Sequence, residues 1–228
     1  MPLIPVTLTA REERTSDISV LHFMPQAAFA FDAGQYVEVI APDFEPRPFS
    51  LANAPRKNNA ITLHVRDLGQ GLSRFLCRNL NIGDTVQIEG PHGHMHSKAA
   101  TAKPVFMIGG GTGVVPLLAI AEDIVRKGLS EDGMVLIYGV RLEDDIHCRK
   151  ELDTLAASGE LSVHYAIGAE TPDKILTRLA PKLALHTVYM SGLDPMLFNI
   201  LPSLKAHGMK DNALHTDADL QVLMGLPS

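Results

Sequence analysis

The 228-residue sequence predicts two successive domains, an all-β unit followed by an α/β unit built on a parallel sheet. Three observations carry this. The first hundred residues hold short runs rich in β-branched side chains, several alternating apolar with polar, separated by turn signals. From about residue 104, apolar strands alternate with amphipathic helical stretches, the rhythm of a parallel sheet covered on both faces. Between them Ser97-Lys-Ala-Ala-Thr-Ala-Lys103 is small and polar and reads as the linker, giving expected domains at 1–98 and 104–228.

The strands expected in the first unit are Val6–Ala10, Ile18–Phe23, Tyr36–Ile40, Ala60–Val65 and Thr85–Glu89. Ala33-Gly34, Ala54-Pro55, Lys57-Asn58-Asn59 and Ile82-Gly83-Asp84 punctuate them. Only Gly71–Leu80 reads as helical there, with Leu72, Phe75, Leu76 and Leu80 on one face. Many short strands at this spacing imply a sandwich or small barrel. In the second unit the expected strands are Val105–Ile108, Met134–Tyr138, Leu161–Ile167 and Thr187–Met190. The expected helices are Pro116–Lys127, His147–Ala157, Pro172–Leu183 and Asp194–His207.

Composition narrows the functional classes. With 46% hydrophobic and 20% charged residues the chain is an ordinary globular protein. Two cysteines, Cys77 and Cys148, are too few for an iron–sulfur cluster or a four-cysteine zinc site, so redox chemistry would need a bound organic cofactor. A net charge of -6 and the absence of Trp argue against nucleic acid as a partner. Residues 1–20 carry Arg11, Glu12, Glu13, Arg14 and Asp17 where a signal peptide needs an apolar stretch, so the cytoplasm is the expected address. The long uncharged run Pro104–Ala121 holds four glycines and Pro116, which suits strand, turn and helix start rather than membrane insertion.

The most informative stretch is Gly109-Gly-Gly-Thr-Gly-Val-Val-Pro116. It follows an apolar strand and opens a helix, so free amides and the positive end of the helix dipole would favour a diphosphate. It is neither the GxGxxG fingerprint nor a P-loop; a turn that only permits tight packing is the competing reading. Arg47-Pro-Phe-Ser50 offers a cation, a flat aromatic and a hydroxyl within four residues, enough to grip a phosphate, cover a ring and hydrogen-bond a ring nitrogen. Taken alone it equally fits a surface arginine beside a half-buried phenylalanine. Leu63-His-Val-Arg66 and Gly69-Gln-Gly-Leu-Ser73 add backbone donors, a cation and a helix-start hydroxyl, and Gly90-Pro-His-Gly93 closes the β half with a tight turn.

These segments, with Gly34-Gln-Tyr36, Tyr138-Gly-Val-Arg141 and Ser191-Gly-Leu-Asp-Pro-Met196, follow the order and spacing of the ferredoxin–NADP reductase superfamily, which the chain resembles from about Leu8 to Asp217. The likeness is strongest to reductase modules of bacterial oxygenases and to NAD(P)H–flavin reductases. It implies an antiparallel flavin-binding β-barrel followed by a parallel α/β nicotinamide-nucleotide domain. Arg47 matches the arginine that binds flavin phosphate, Pro48 lies in the same motif, Phe49 matches the aromatic against the isoalloxazine, and Ser50 the hydroxyl near N5. His64, Val65, Arg66, Gly71, Leu72 and Ser73 match the segments around the ribityl chain and diphosphate. Gly110, Gly111, Thr112 and Gly113 match the nucleotide loop, with Thr112 close to the reacting rings. Arg141 matches a contact to the adenosine half, and Ser191, Gly192, Asp194, Pro195 and Met196 the loop beside the nicotinamide.

The resemblance thus implies FAD, with FMN the lesser choice, reduced by NADH or NADPH through hydride transfer in which Ser50 and Thr112 act as catalytic hydroxyls. Three departures qualify it. Ser191 stands where many members have cysteine, the run His215–Ser228 lacks the aromatic that often covers the flavin, and no cysteine cluster supplies an iron–sulfur domain. The expected acceptor is therefore a separate iron–sulfur protein, an oxygenase component or free flavin. A flavin reductase that releases its product and a non-catalytic electron-transfer or redox-sensing subunit are the alternatives.

Other segments have plainer readings. His92, His94 and His96 alternate with ligand-like spacing, but Gly93 and the adjacent linker favour a solvated loop over a metal site. Cys77 and Cys148 read as packing rather than nucleophiles, and Met190, Met196 and Met209 as core filling. Glu143-Asp144-Asp145 suits a helix N-terminus, or exclusion of the extra phosphate of NADP.

Overall fold

The computed structural model describes residues 2–100, 103–129 and 133–218. Its N-terminal half is an antiparallel sheet of β1 (Ile4–Glu13), β2 (Ile18–Pro25), β3 (Tyr36–Ile40), β4 (Arg47–Ser50), β5 (Ile61–Arg66) and β6 (Thr85–His92), in the order β4-β3-β6-β1-β2-β5. A bridge between Leu51 and Leu63 joins the two outer strands, so the sheet curls into a barrel. Alternation decides what fills it: Val6, Leu8, Leu21, Phe23, Val37, Val39, Leu63 and Val65 point inward and are fully buried. Helix α1 (Gly71–Arg74) continues as a π-helical turn over Phe75–Asn79, and its Leu72 and Leu76 pack into the same core.

The C-terminal half is a parallel sheet of β7 (Val105–Gly110), β8 (Met134–Val140), β9 (Leu161–Ile167), β10 (Thr187–Ser191) and the short β11 (Leu214–His215), ordered β11-β10-β7-β8-β9. Helices α2 (Val114–Lys127) and α3 (Arg149–Ala156) cover one face, and α4 (Pro172–Leu179) and α5 (Asp194–Ala206) the other. Burial on both faces is why β7 is apolar at successive positions: Met107 packs on the α2 side, Phe106 and Ile108 on the α5 side.

Several expectations from the sequence need correction. The helix expected over Pro172–Leu183 stops at Leu179, because the residue before Pro181 is driven out of the α region; Ala180 takes φ 43°, and Leu183–Leu185 forms a separate 3-10 turn. Helix α2 begins at Val114, two residues before Pro116, and α3 at Arg149 rather than His147. Arg47–Ser50 and Leu214–His215 are strands that periodicity did not mark, being too short to show alternation.

The segment expected to be the linker is partly locked. Ser97 is buried and its hydroxyl donates to the Asp123 carboxylate on α2 at 2.6 Å. Asp123 is fully buried and also receives Lys127 and Arg126. Burial pushes its carboxyl up, but these hydrogen bonds outweigh that and hold it below the ordinary carboxylate value. The domains approach closely where side chains are small: Ala33, Ala54 and Ala119 form a buried cluster, and Gly34, at φ 105°, would place a β-carbon 2.4 Å from the Met95 carbonyl. Arg14 of the barrel reaches Glu151 of α3 at 2.7 Å, and the Ala54 N–H donates to Glu122 of α2 at 2.9 Å.

Candidate functional site

The parallel sheet has its topological switch point between β7 and β10, since the chain runs outward from β7 through β8 and β9, then returns to β10 and β11 on the other side. Loops at the carboxyl ends of such strands form the crevice in which ligands bind open α/β sheets. Here those loops are Gly110–Gly113 and Ser191–Met196, and they touch. A β-carbon at Gly110 would lie 2.5 Å from the Met196 sulfur, and one at Gly113 would lie 2.6 Å from Gly192. Gly111 takes φ 54° with nothing within 4 Å of its β-carbon position, so its backbone faces open space. Gly111–Gly113 is a 3-10 turn leading into α2, whose N-terminus has no side-chain cap. The free amides at this end are thus available to an anion. Asp194 and Pro195 are exposed in the first turn of α5, and Ser191 and Gly192 are half-buried at the crevice.

On the barrel side, Arg47 and Pro48 are exposed while Phe49 and Ser50 are half-buried, with Ser50 opposite Tyr36 in the β3–β4 register. Strand β5 lies between that strand and the glycine turn: it is tied to Leu51 and packs against Gly111–Gly113. The structure therefore brings Ser50, the outer face of β5 and the Thr112 turn to one interdomain edge. Val65 points into the barrel core, so only its backbone is available to a ligand, and Arg66 lies 3.5 Å from Asp17. Gly71 has φ 64° with open space around it. Leu72 is core, and the Ser73 hydroxyl is used locally, accepting the Leu68 N–H at 3.3 Å and donating to the Gln70 carbonyl at 3.4 Å. Arg141 stands apart, exposed at the end of β8.

His64 faces the nucleotide domain, where its ring meets His147 edge-on at 5.2 Å between centroids. His147 was not singled out from the sequence, because only the domain packing buries it. Its Nδ1 lies 3.1 Å from the Tyr138 hydroxyl. Burial drives both imidazoles toward the neutral form, holding His147 down to about 4. Asp217 is a second residue without a local signal. Its carboxylate stands 3.1 Å from the β-carbon position of Gly93, beside the Tyr36 ring. Although the side chain is exposed by area, surrounding chain atoms desolvate the carboxyl and raise it to about 6.

Among the described residues no group of three or more His, Cys, Asp or Glu is placed to hold a metal, and His92 packs against Tyr36 instead. Both cysteines are buried, and burial pushes the Cys148 thiol up to about 12. Glu143–Asp145 is a 3-10 turn ahead of α3, with the Asp145 carboxylate accepting the Leu142 N–H and Glu143 paired to Arg149 at 3.0 Å. No helix among the described residues is long and apolar enough to cross a membrane. Of the run His215–Ser228, residues 219–228 lie outside the described residues.

Both halves, the antiparallel barrel and the parallel sheet, match family models of oxidoreductases. Residues 5–97 match the oxidoreductase FAD-binding domain and residues 107–199 the oxidoreductase NAD-binding domain. The chain belongs to the ferredoxin–NADP reductase superfamily. It is 29% identical over 230 residues to the ferredoxin–NAD(P)(+) reductase component of the naphthalene 1,2-dioxygenase/salicylate 5-hydroxylase systems of Ralstonia sp, covering 95% of this chain and 69% of that protein. It is 34% identical over 139 residues to the terephthalate 1,2-dioxygenase reductase component 2 of Comamonas sp, covering 60% of this chain but only 41% of that protein. The cytochrome b5 reductase domain of Ulva prolifera nitrate reductase shares the fold, with a TM-score of 0.82 at 21% identity over 94% of this chain and 97% of that one.

Proposed function

We propose that this chain is the reductase of an oxygenase system, passing electrons from NADH through FAD to a separate iron–sulfur protein or oxygenase component. The observation that carries it is the meeting of Ser50, β5 and the Gly111–Gly113 turn on one edge, so that a ring held by the barrel and a ring held by the crevice would face each other. The residues present fit FAD. Open backbone at Gly71 and an exposed Arg47 suit its diphosphate, and the half-buried Phe49 offers a flat apolar face. Bound FAD supplies acceptance of an electron pair from the nicotinamide and its release one electron at a time.

The protein's own part is position and electrostatics. Arg47 holds phosphate, Phe49 covers the ring, and Ser50 presents a hydroxyl to the ring nitrogen. The amides opening α2 hold the nucleotide diphosphate, while Thr112, Ser191, Gly192 and Met196 shape the nicotinamide pocket. Asp194 and Pro195 set the first turn of α5 behind it. Arg141 contacts the adenosine, and Glu143 beside it opposes the extra phosphate of NADPH.

Anaerobic titration of the FAD-loaded protein with NADH tests this reading. The yellow colour should bleach at one NADH per flavin, the flavin should stay bound through gel filtration, and an iron–sulfur protein should restore the colour faster than oxygen does. A flavin lost on the column, with turnover only on added riboflavin, would show a flavin reductase instead. Retained flavin that NADH does not bleach would show a subunit without reductase activity.

A further inference from the structure

We infer that Met196 is a reversible oxidation site whose sulfoxide closes the nucleotide crevice. Met196 stands in the first turn of α5, half-buried, with its thioether set among three glycines that come from three strand ends. A β-carbon at Gly110, the last residue of β7, would lie 2.5 Å from the Met196 sulfur, and one at Gly139 of β8 would lie 3.7 Å from it. A β-carbon at Gly192, just past β10, would lie 2.8 Å from the Met196 methyl carbon. One flexible side chain therefore fills the space that three absent side chains leave open at the switch point.

Among the described residues only two methionines meet solvent, Met24 and Met196; Met95, Met107, Met134, Met190 and Met209 are buried, at 5% exposure or less. Met24 lies on β2 of the antiparallel sheet, opposite Thr7 of β1. Met196 lies at the crevice where the nucleotide meets the flavin. The oxidant is hydrogen peroxide, which dioxygen becomes on taking two electrons and two protons from reduced flavin, a supply that rests on the proposed reductase reading. At Met196 a sulfur lone pair takes one oxygen atom from the peroxide: the O–O bond breaks, an S–O bond forms and water leaves. Sulfur is oxidised by two electrons and the peroxide is reduced by two.

The sulfoxide does not fit where the thioether sits. Contacts to Gly110 and Gly192 are already tight, and Pro172 closes the Gly139 side, 3.0 Å from that β-carbon position. The added oxygen has room on the crevice side, where Gly111 has nothing within 4 Å of its β-carbon position. Oxidation also turns an apolar group into a polar one that accepts hydrogen bonds. The donors it meets there are the amides opening α2, which has no side-chain cap, so the oxygen takes the place of a nucleotide phosphate. None of Gly110, Gly139, Gly192 and Met196 belongs to the barrel, so FAD retention is unaffected.

Hydrogen peroxide added to the FAD-loaded protein, then removed with catalase, tests this by peptide mass spectrometry and by calorimetric titration with NAD+. Met24 and Met196 should gain oxygen before the five buried methionines do. NAD+ should then bind at least about tenfold more weakly, the loss expected when hydrogen bonds to a charged phosphate are displaced, with FAD retained. Methionine sulfoxide reductases of both epimer classes should restore the affinity, and NAD+ present during treatment should protect Met196 but not Met24. Met196→Leu, compared with its own untreated sample, should lose no affinity on treatment, whereas Met24→Leu should lose it as the wild type does. Met196 left unoxidised where Met24 is fully converted, Met196 sulfoxide with unchanged NAD+ affinity, or an equal loss in Met196→Leu overturns the inference. Untreated protein that fails to bind NAD+ removes the crevice assignment itself, and the inference with it.

Discussion

Gly113 stands directly against Gly192: a β-carbon at Gly113 would lie 2.6 Å from the Gly192 Cα and 2.5 Å from the Ser191 carbonyl oxygen. Two loops that come from distant parts of the sequence therefore share one backbone contact, and the crevice between β7 and β10 takes its shape from it. Gly113 itself is in an ordinary right-handed conformation at φ -64°, so its requirement for glycine is spatial, not conformational.

Gly113→Ala should accordingly push the two loops apart. Overpacking of this kind costs about 1–3 kcal/mol, which thermal unfolding would report. NAD+ affinity should fall with it, whereas FAD retention, which depends on the barrel, should hold. Unchanged nucleotide binding in a folded variant would show that the loop contact does not shape the crevice.

Ser50→Ala should act on the rate of flavin reduction more than on binding. Loss of one positioned hydroxyl donor lowers such a step roughly tenfold to a thousandfold. Stopped-flow bleaching by NADH measures it, and the dependence on NADH concentration separates rate from affinity. A weaker Kd with an unchanged limiting rate would remove Ser50 from the reacting centre.

Glu143→Lys should move the ratio of kcat/KM values toward NADPH. Glu143 is exposed and paired with Arg149, whose guanidinium lies 4.7 Å from the centre of the Tyr165 ring. The substitution removes a like charge and frees a cation near the end of β8, both of which favour a second phosphate. The wild-type protein should prefer NADH, and the preference should narrow at high salt as the repulsion is screened. A wild-type ratio at or above unity for NADPH would count against the assignment.

Acid should loosen the interface that His147 helps form. Burial holds its imidazole down to about 4, against an unfolded value of 6.5, so the unfolded chain takes up a proton first as pH falls. Stability from this group is present above pH 6.5 and is lost on descent toward pH 4, by roughly 3 kcal/mol in full. Arg14, Arg66 and Asp17 also act on this ring, with both arginines opposing its protonation. Urea midpoints from pH 7 to 4.5 should fall less steeply in His147→Gln, which can keep a hydrogen bond to Tyr138. Equal slopes in the two proteins would assign the acid sensitivity elsewhere.

The sequence by itself determined the order of the all-β and α/β halves and the positions of most elements, because strand alternation, helix spacing and glycine turns are local properties. It also marked Gly109–Gly113 and Ser191–Met196 as separate motifs, since each carries its own glycines. Periodicity overran at Ala180, where the following proline dictates the end of the helix, and overlooked Arg47–Ser50, whose four residues make a strand only through pairing with β3. What brought the motifs together was the sheet order: β10 inserts beside β7, and β5 comes to lie between the barrel rim and the glycine turn. The Ser97–Asp123 hydrogen bond and the His64–His147 contact arise only when the domains pack. Local spacing sets which residues share a strand or a helix face; which faces meet depends on long-range burial, and burial alone turned a polar linker serine and two histidines into parts of an interface.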